Sequence, residues 1–364
     1  MFMNFNIMQW FDPFILILMG LSLVLNGLVA YIWHKKFYRK LGLKSYQAIQ
    51  RIHLNETPRL GGFIFILLLV SFVAFSNSNE SIQLLKIILI CLIPIIFMGI
   101  KEDLFHNVEP AIRLLALLFV GWLFRVQFSG PLPILTDIPF IGKLLLLQGG
   151  ISIFYILSIV AVANGMNLID GVNGLCGAVA LSILSALLFL SYKTADITML
   201  SLIFTVILLL IPFMLLNYPY GRIFLGDLGA YSLGLIVSML TIILFGRHPE
   251  ISPWGAVLIL IYPAFEVVFS LLRRIIKGVS IYHADTGHLH LKLFYFFKPQ
   301  PAYKKIANAL VMPLLSVLWL FPLISISWVY QKPFFIWIAV ILFLLLYLFI
   351  YAAIPSIKKT TSYL

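Results

Sequence analysis

Apolar residues run along the chain in unbroken blocks, and polar residues are confined to the short stretches between them. Eleven blocks stand out, at about 14–33, 61–76, 82–100, 112–128, 148–165, 172–191, 197–216, 229–246, 255–272, 306–330 and 334–354. A helix needs about 20 mostly apolar residues to cross the hydrocarbon of a bilayer. The pattern therefore predicts an all-α, polytopic membrane bundle of ten to eleven helices. No basic region precedes the first block and no small-residue cleavage site follows it, so it reads as a retained helix and not a removed signal.

Composition sharpens this picture. Of 364 residues, 62% are hydrophobic and 10% charged, with a mean hydropathy of +1.07. That excludes a water-soluble enzyme, a disordered chain and a collagen-like fibre. No internal repeat or linker divides residues 1–364, so a single membrane-embedded domain is expected. Cys91 and Cys176 lie in or beside apolar runs and suggest no disulfide framework. The net charge of +12 reports orientation and contact with membrane lipids, not nucleic acid. Most Lys and Arg residues fall in 34–60, 101–113, 217–228, 273–305 and the tail after 354. The positive-inside bias puts those segments, with 164–171, in the cytoplasm, the N-terminus outside and the C-terminus inside. The stretch 129–147, with Pro131, Pro133 and Pro139, reads as an extended or hairpin excursion on the outer side.

Four of the inner segments put polar groups directly against an apolar span, where an ionised carboxylate is costly unless it is paired or binds a cation. Lys101-Glu102-Asp103 can hold a cation or take a proton; the alternative is a solvated helix end, with Arg113 as a partner or phosphate contact. Asn164 to Gly174 carries four polar or acidic side chains and three glycines at a helix start. Such a turn favours close backbone approach and phosphate, although Asp170 or Asn173 as a plain cap is the simpler alternative. Asn217 to Gly229 sets Asp227 between Gly226 and Leu228-Gly229 at the mouth of a span. A hard carboxylate in an open position suits Mg²⁺; an N-cap is again the alternative. Asp285-Thr286-Gly287-His288-Leu289-His290 lies in a basic loop. His288 and His290 fit phosphate hydrogen bonding better than zinc, because no third and fourth ligand accompanies them. His53 and His106 read as plain surface residues. Glu266, within a span, is either functional or paired with Arg273 or Arg274.

Acids, amides, glycine turns, histidines and basic loops on one membrane face fit phosphate chemistry with a divalent ion and a lipid-borne substrate. The ordered set of segments resembles the polyprenyl-phosphate N-acetylhexosamine-1-phosphate transferases. Thr57-Pro58-Arg59-Leu60-Gly61-Gly62 is similar to that superfamily's Thr-Pro-Arg-x-Gly-Gly motif. Glu102-Asp103 stands where the family has paired aspartates. Asn164–Gly174, Asn217–Gly229 and Ala284–His290 resemble its later motifs, in family order. The sequence departs from the pattern at Glu102, Asn173, Thr286 and Leu291. The resemblance implies that a polyprenyl phosphate, undecaprenyl phosphate in bacteria, attacks a UDP-N-acetylhexosamine and releases UMP, initiating an envelope glycan such as O-antigen at the cytoplasmic face of the inner membrane. By the same resemblance Asp227 and Asn167 bind Mg²⁺, with Mn²⁺ as a substitute. Asp103 positions or deprotonates the lipid phosphate, with Glu102 assisting. Asp170 acts in the active-site loop. Arg59, Asn173, Asn217, Arg222, His288 and His290 contact substrate.

Two other classes compete. A secondary transporter would gather its polar residues near the midplane. An intramembrane aspartyl protease would use Leu225-Gly226-Asp227, but Phe224 departs from its Gly-x-Gly-Asp pattern. The sugar, the downstream polymer and the oligomeric state stay open, a homodimer among the options.

Overall fold

A computed structural model describes residues 12–32, 57–133, 147, 149–279 and 286–355. The described residues are all-helical: α1 (Phe14–Ile32), α2 (Gly61–Phe75), α3 (Glu80–Phe105), α4 (Pro110–Gln127), α5 (Gly150–Ile169), α6 (Leu175–Lys193), α7 (Ile197–Asn217), α8 (Gly226–Arg247), α9 (Trp254–Ile276), α10 (Leu289–Phe297), α11 (Ala307–Leu314), α12 (Ser316–Trp319), α13 (Phe321–Val329) and α14 (Pro333–Ala353). Ten runs among them are long and apolar enough to cross a membrane, with Ala307–Val329 counted as one.

Two apolar blocks differ from their expected form. Gly61–Phe75 has 15 residues and rises only about 22 Å, short of a roughly 30 Å hydrocarbon core. The block at 306–330 is broken into α11, α12 and α13. Pro313 and Pro322, which lack an N–H and crowd the preceding turn, lie at those breaks.

The helix at the centre is α8. From Leu228 to Gly246 every side chain is buried, as expected for a helix that is apolar all round. Helices α2, α3, α5, α6, α7 and α9 pack around it. In a membrane, close packing depends on small residues that let backbones approach. A Cβ on Gly62 would run into the Gly229 backbone and lie 2.6 Å from the Leu225 carbonyl, so α2 meets α8 at glycine against glycine. The outer helices leave large apolar side chains such as Phe97, Trp122, Phe334 and Phe349 exposed, as a lipid-facing surface requires.

Each end of α8 has its own polar cluster. At its C-terminal end Arg247 donates to Asp196 Oδ2 at 2.7 Å and to Glu80 Oε1 at 2.6 Å. Asp196 also caps α7 through Met199 N–H at 3.0 Å and meets His248 at 2.9 Å. The arginine and the hydrogen bonds outweigh burial and hold the Asp196 carboxyl below its usual range. The start of the proline-rich excursion packs here: Pro131 lies against Gly246, and Tyr155 donates to the Pro133 carbonyl at 2.6 Å. Its continuation, with Pro139, lies outside the described residues, as do His53, Asp285 and most of the 34–60 segment.

Candidate active site

At the N-terminal end of α8 the chain closes on itself through backbone hydrogen bonds. Phe224 N–H donates to the Pro58 carbonyl at 2.8 Å, Gly61 N–H to Phe224 at 3.0 Å, and Gly62 N–H to Leu225 at 2.9 Å. Thr57 Oγ1 donates to the Gly221 carbonyl at 3.1 Å. This short ladder docks the first polar segment on the third and leaves the Arg59 side chain exposed beside the acids.

A second brace joins the two loops that flank α6 and α7. The buried Asn217 accepts from Gly174 N–H at 2.6 Å and donates to the Ile223 carbonyl at 2.7 Å. Asn173 donates to the Pro219 carbonyl at 2.8 Å, and its own N–H donates to Asn308 at 2.7 Å. Both amides, expected to contact substrate, hold loop against loop, while Asn173 Oδ1 accepts no hydrogen bond among the described residues. Arg222 remains exposed, its guanidinium 5.3 Å from the Tyr220 ring centroid.

These braces gather the acids. Asp103, in the last turn of α3, accepts from the N–H groups of Asp227 at 2.8 Å and Leu228 at 3.1 Å. Its carboxylate therefore caps the positive end of α8. The approach needs a glycine at 226, where φ is +77° and a Cβ would lie 2.5 Å from Asp103 Oδ2. Asp170, at the C-cap of α5, feels the charges of Asp227, Arg59 and Asp103. Burial, reinforced by Asp227, pushes its carboxyl well above the usual carboxylate range. Asn167 lies half-buried one turn before it on α5.

Glu102 is not a solvated helix end. It is buried, accepts from Val108 N–H at 2.8 Å, and pairs with Arg113 Nη2 at 2.6 Å. Arg113 reaches on to Asp227 Oδ2 at 3.2 Å, so the arginine expected only as a partner or phosphate contact ties α3, α4 and α8 together. Two further groups belong to this cluster. Tyr231, one turn after Asp227, is buried and within electrostatic reach of Asp227 and Arg113; its i, i+4 spacing from Asp227 was the signal for it. His106 is half-buried, not a plain surface residue. Burial and then the nearby Arg59 hold its imidazole below the usual histidine range, with Glu102, Asp227 and Arg113 also within electrostatic reach.

The late histidines are both buried. His288 and His290 are 4% and 1% exposed, with their rings stacked at 5.8 Å. His290 Nε2 lies against Gly171, where a Cβ would come within 2.6 Å, so this ring supports the Asn164–Gly174 loop. Burial, then His288, keeps the imidazole of His290 well below its ordinary range, hence neutral. His288 Nδ1 is 3.7 Å from Glu266 Oε2. The intramembrane acid thus faces the histidine pair, while the Arg273 guanidinium fills the space beside Gly287.

The donor set fits one kind of ion. Among the described residues no three or more His, Cys, Asp or Glu side chains converge as a closed metal cage. Zinc in a structural site takes four such ligands. Mg²⁺ takes one or two carboxylates and completes its shell with water and substrate phosphates. Asp227, partly open at the mouth of α8 and with Asp103 and Asp170 close enough to add negative potential, fits Mg²⁺ or Mn²⁺.

The family profile described as glycosyl transferase family 4 matches residues 85–245, which contain Asp103, Asp170, Asp227, Asn173, Asn217 and α8 as far as Phe245. This segment of the chain is similar to that family. A probable undecaprenyl-phosphate N-acetylglucosaminyl 1-phosphate transferase of Bacillus subtilis (strain 168) is 26% identical over 265 residues, 72% of each chain. An undecaprenyl-phosphate alpha-N-acetylglucosaminyl 1-phosphate transferase of Yersinia pestis is 28% identical over 265 residues, 70% of each. A phospho-N-acetylmuramoyl-pentapeptide-transferase of Streptococcus pneumoniae (strain Taiwan19F-14) is 26% identical over 292 residues, 74% of this chain and 85% of the relative. The chain thus resembles transferases of two kinds at similar identity.

Proposed function

We propose that the protein transfers an N-acetylhexosamine 1-phosphate from a UDP-sugar to a polyprenyl phosphate, undecaprenyl phosphate in a bacterium, and so begins an envelope glycan. One observation carries the reading: three carboxylates and two arginines, Asp103, Asp170, Asp227, Arg59 and Arg113, meet at one end of a membrane bundle. Two anions, one greasy and one water-borne, require such a mixture of fixed charge and an exchangeable cation. The names of the relatives support the same reading.

A lipid phosphate oxygen attacks the β-phosphorus of the UDP-sugar. One P–O bond forms, the bond to UMP breaks, and UMP leaves with the electron pair. Asp227 and Asn167 would hold Mg²⁺, which would supply positive charge to offset that of the diphosphate. The protein's own part is positioning and fixed electrostatics. Arg59 and Arg222, both exposed, receive phosphate oxygens. Asp103 holds the first turn of α8, and with it Asp227, at the angle the diphosphate needs. Its two oxygens already accept backbone N–H groups, and a phosphate monoester is mostly ionised at neutral pH, its second pKa being about 6. Positioning therefore suits Asp103 better than proton removal. Asp170, Asn173 and Asn217 keep the loop closed, with His290 beneath it. The site faces the cytoplasm of a bacterial inner membrane, with the N-terminus outside and residues 1–364 acting as one domain.

The test is incubation of the purified protein with undecaprenyl phosphate, Mg²⁺ and a panel of UDP-sugars, UDP-GlcNAc first. UMP release matched by lipid-linked sugar is expected. Transport of solute without UMP, or turnover unaffected by EDTA, refutes the proposal.

A further inference from the structure

The Arg113 side chain is anchored twice before it reaches Asp227. Its Nε and Nη2 donate to the Val108 carbonyl at 3.2 and 3.0 Å, and Nη2 donates to Glu102 Oε1 at 2.6 Å. Glu102 is in turn fixed by Val108 N–H at 2.8 Å. The turn between α3 and α4 thus builds a bracket that holds the guanidinium in place and leaves Nη1 pointing at Asp227 Oδ2, the longest contact to a carboxylate in the set at 3.2 Å. Nη1 can release Asp227 while the bracket keeps its other bonds.

Asp227 needs a cation. It shares its surroundings with Asp103 and Asp170, and like charges at this spacing repel unless neutralised. Asp103 is occupied by the backbone of α8, and among the described residues Arg113 is the one side chain that forms an ion pair with Asp227. An arginine keeps its charge at every accessible pH, so this neutralisation does not depend on pH. We propose that Arg113 is an internal counter-cation. It holds Asp227 while no metal is bound, and a divalent ion enters by displacing Nη1 from Oδ2. The affinity of the site for metal is then set by competition between a tethered single charge and a free double one. The bracket keeps the empty site from collapsing and keeps binding weak enough for the ion to exchange. The inference rests on the reading of Asp227 as a metal ligand.

The test measures Mn²⁺ binding directly, by electron paramagnetic resonance of the free ion, on the purified full chain in detergent without substrate. Arg113→Gln removes the competitor, and its dissociation constant for Mn²⁺ is expected to fall about tenfold. Arg113→Lys keeps the charge but cannot hold Val108, Glu102 and Asp227 together, and should bind about threefold tighter than wild type. Asp227→Ala should lose the site. If Asp227→Ala loses Mn²⁺ but both Arg113 variants bind no tighter than wild type, the counter-cation is overturned and the metal reading stands. If Asp227→Ala binds Mn²⁺ as wild type does, the metal reading falls and the counter-cation with it. Should Arg113→Gln fail to fold, Arg113→Lys decides alone.

Discussion

Gly226→Ala isolates the contact between Asp103 and the start of α8. An alanine held at φ +77° costs about 1–2 kcal/mol in the left-handed region. Its Cβ would lie 2.5 Å from Asp103 Oδ2 and 2.7 Å from Oδ1, inside contact distance of both. The carboxylate must then withdraw from two N–H groups, and each such charge-assisted bond is worth about 1.5–3 kcal/mol. Losing one bond and keeping a weakened second gives a total near 3–5 kcal/mol. Thermal unfolding in detergent should show the variant clearly destabilised, and UMP release should fall by at least about 100-fold because Asp227 moves with the turn. Asp103→Asn disturbs the same contact from the other side, so the double variant should be much less than additive. A Gly226→Ala protein within about 1 kcal/mol of wild type with full turnover would refute the argument, as would strict additivity.

Asn217→Ala leaves the Gly174 N–H and the Ile223 carbonyl without their partner in a buried setting; a loss of about 2–4 kcal/mol and of UMP release is expected, measured by thermal shift and turnover together. Arg247→Ala strips Asp196, whose side chain is 2% exposed, of its main counter-charge, and should destabilise by about 2–3 kcal/mol with the KM for UDP-sugar unchanged; an altered KM would contradict the separation of the two ends. For Asp170 the folded pKa lies above its ordinary 3.8, so the native state binds the proton more tightly than the unfolded state, and stability falls as pH rises from near that value towards the folded pKa. In EDTA, Asp170→Asn should therefore be at least as stable as wild type at pH 7 and should flatten that slope; a steeper slope would count against burial as the cause.

Much of the fold could be read from block length alone, because a bilayer sets one length for every spanning helix. What block length could not give was rank. The run that becomes α8 looks as apolar as its neighbours, and its central place follows from Gly62 meeting Gly229, a contact between residues far apart in sequence. The break at 306–330 was written in Pro313 and Pro322, yet an apolar average hides two prolines. At the site, the glycine-flanked Asp227 and Asp103 were legible because acids beside apolar runs are rare. Their pairing was not, since it depends on how the end of α3 meets the start of α8. That Asn217 and Asn173 also brace one loop on another was not legible, because an amide that braces two backbones has the same sequence signature as one that binds a ligand. His106 read as surface because nothing local distinguishes it, and Tyr231 was passed over although its i, i+4 spacing from Asp227 pointed to it.

With protein on every side of α8 and charges pinning both its ends, the helix that carries Asp227 touches almost no lipid. Bilayers that thicken or thin act on whatever faces them, here the outer helices with their exposed phenylalanines and tryptophans. Tilting of that outer ring can absorb the mismatch while the inner rod keeps its length and bearing. Geometry around Asp227 should accordingly hold across membranes of different acyl-chain length.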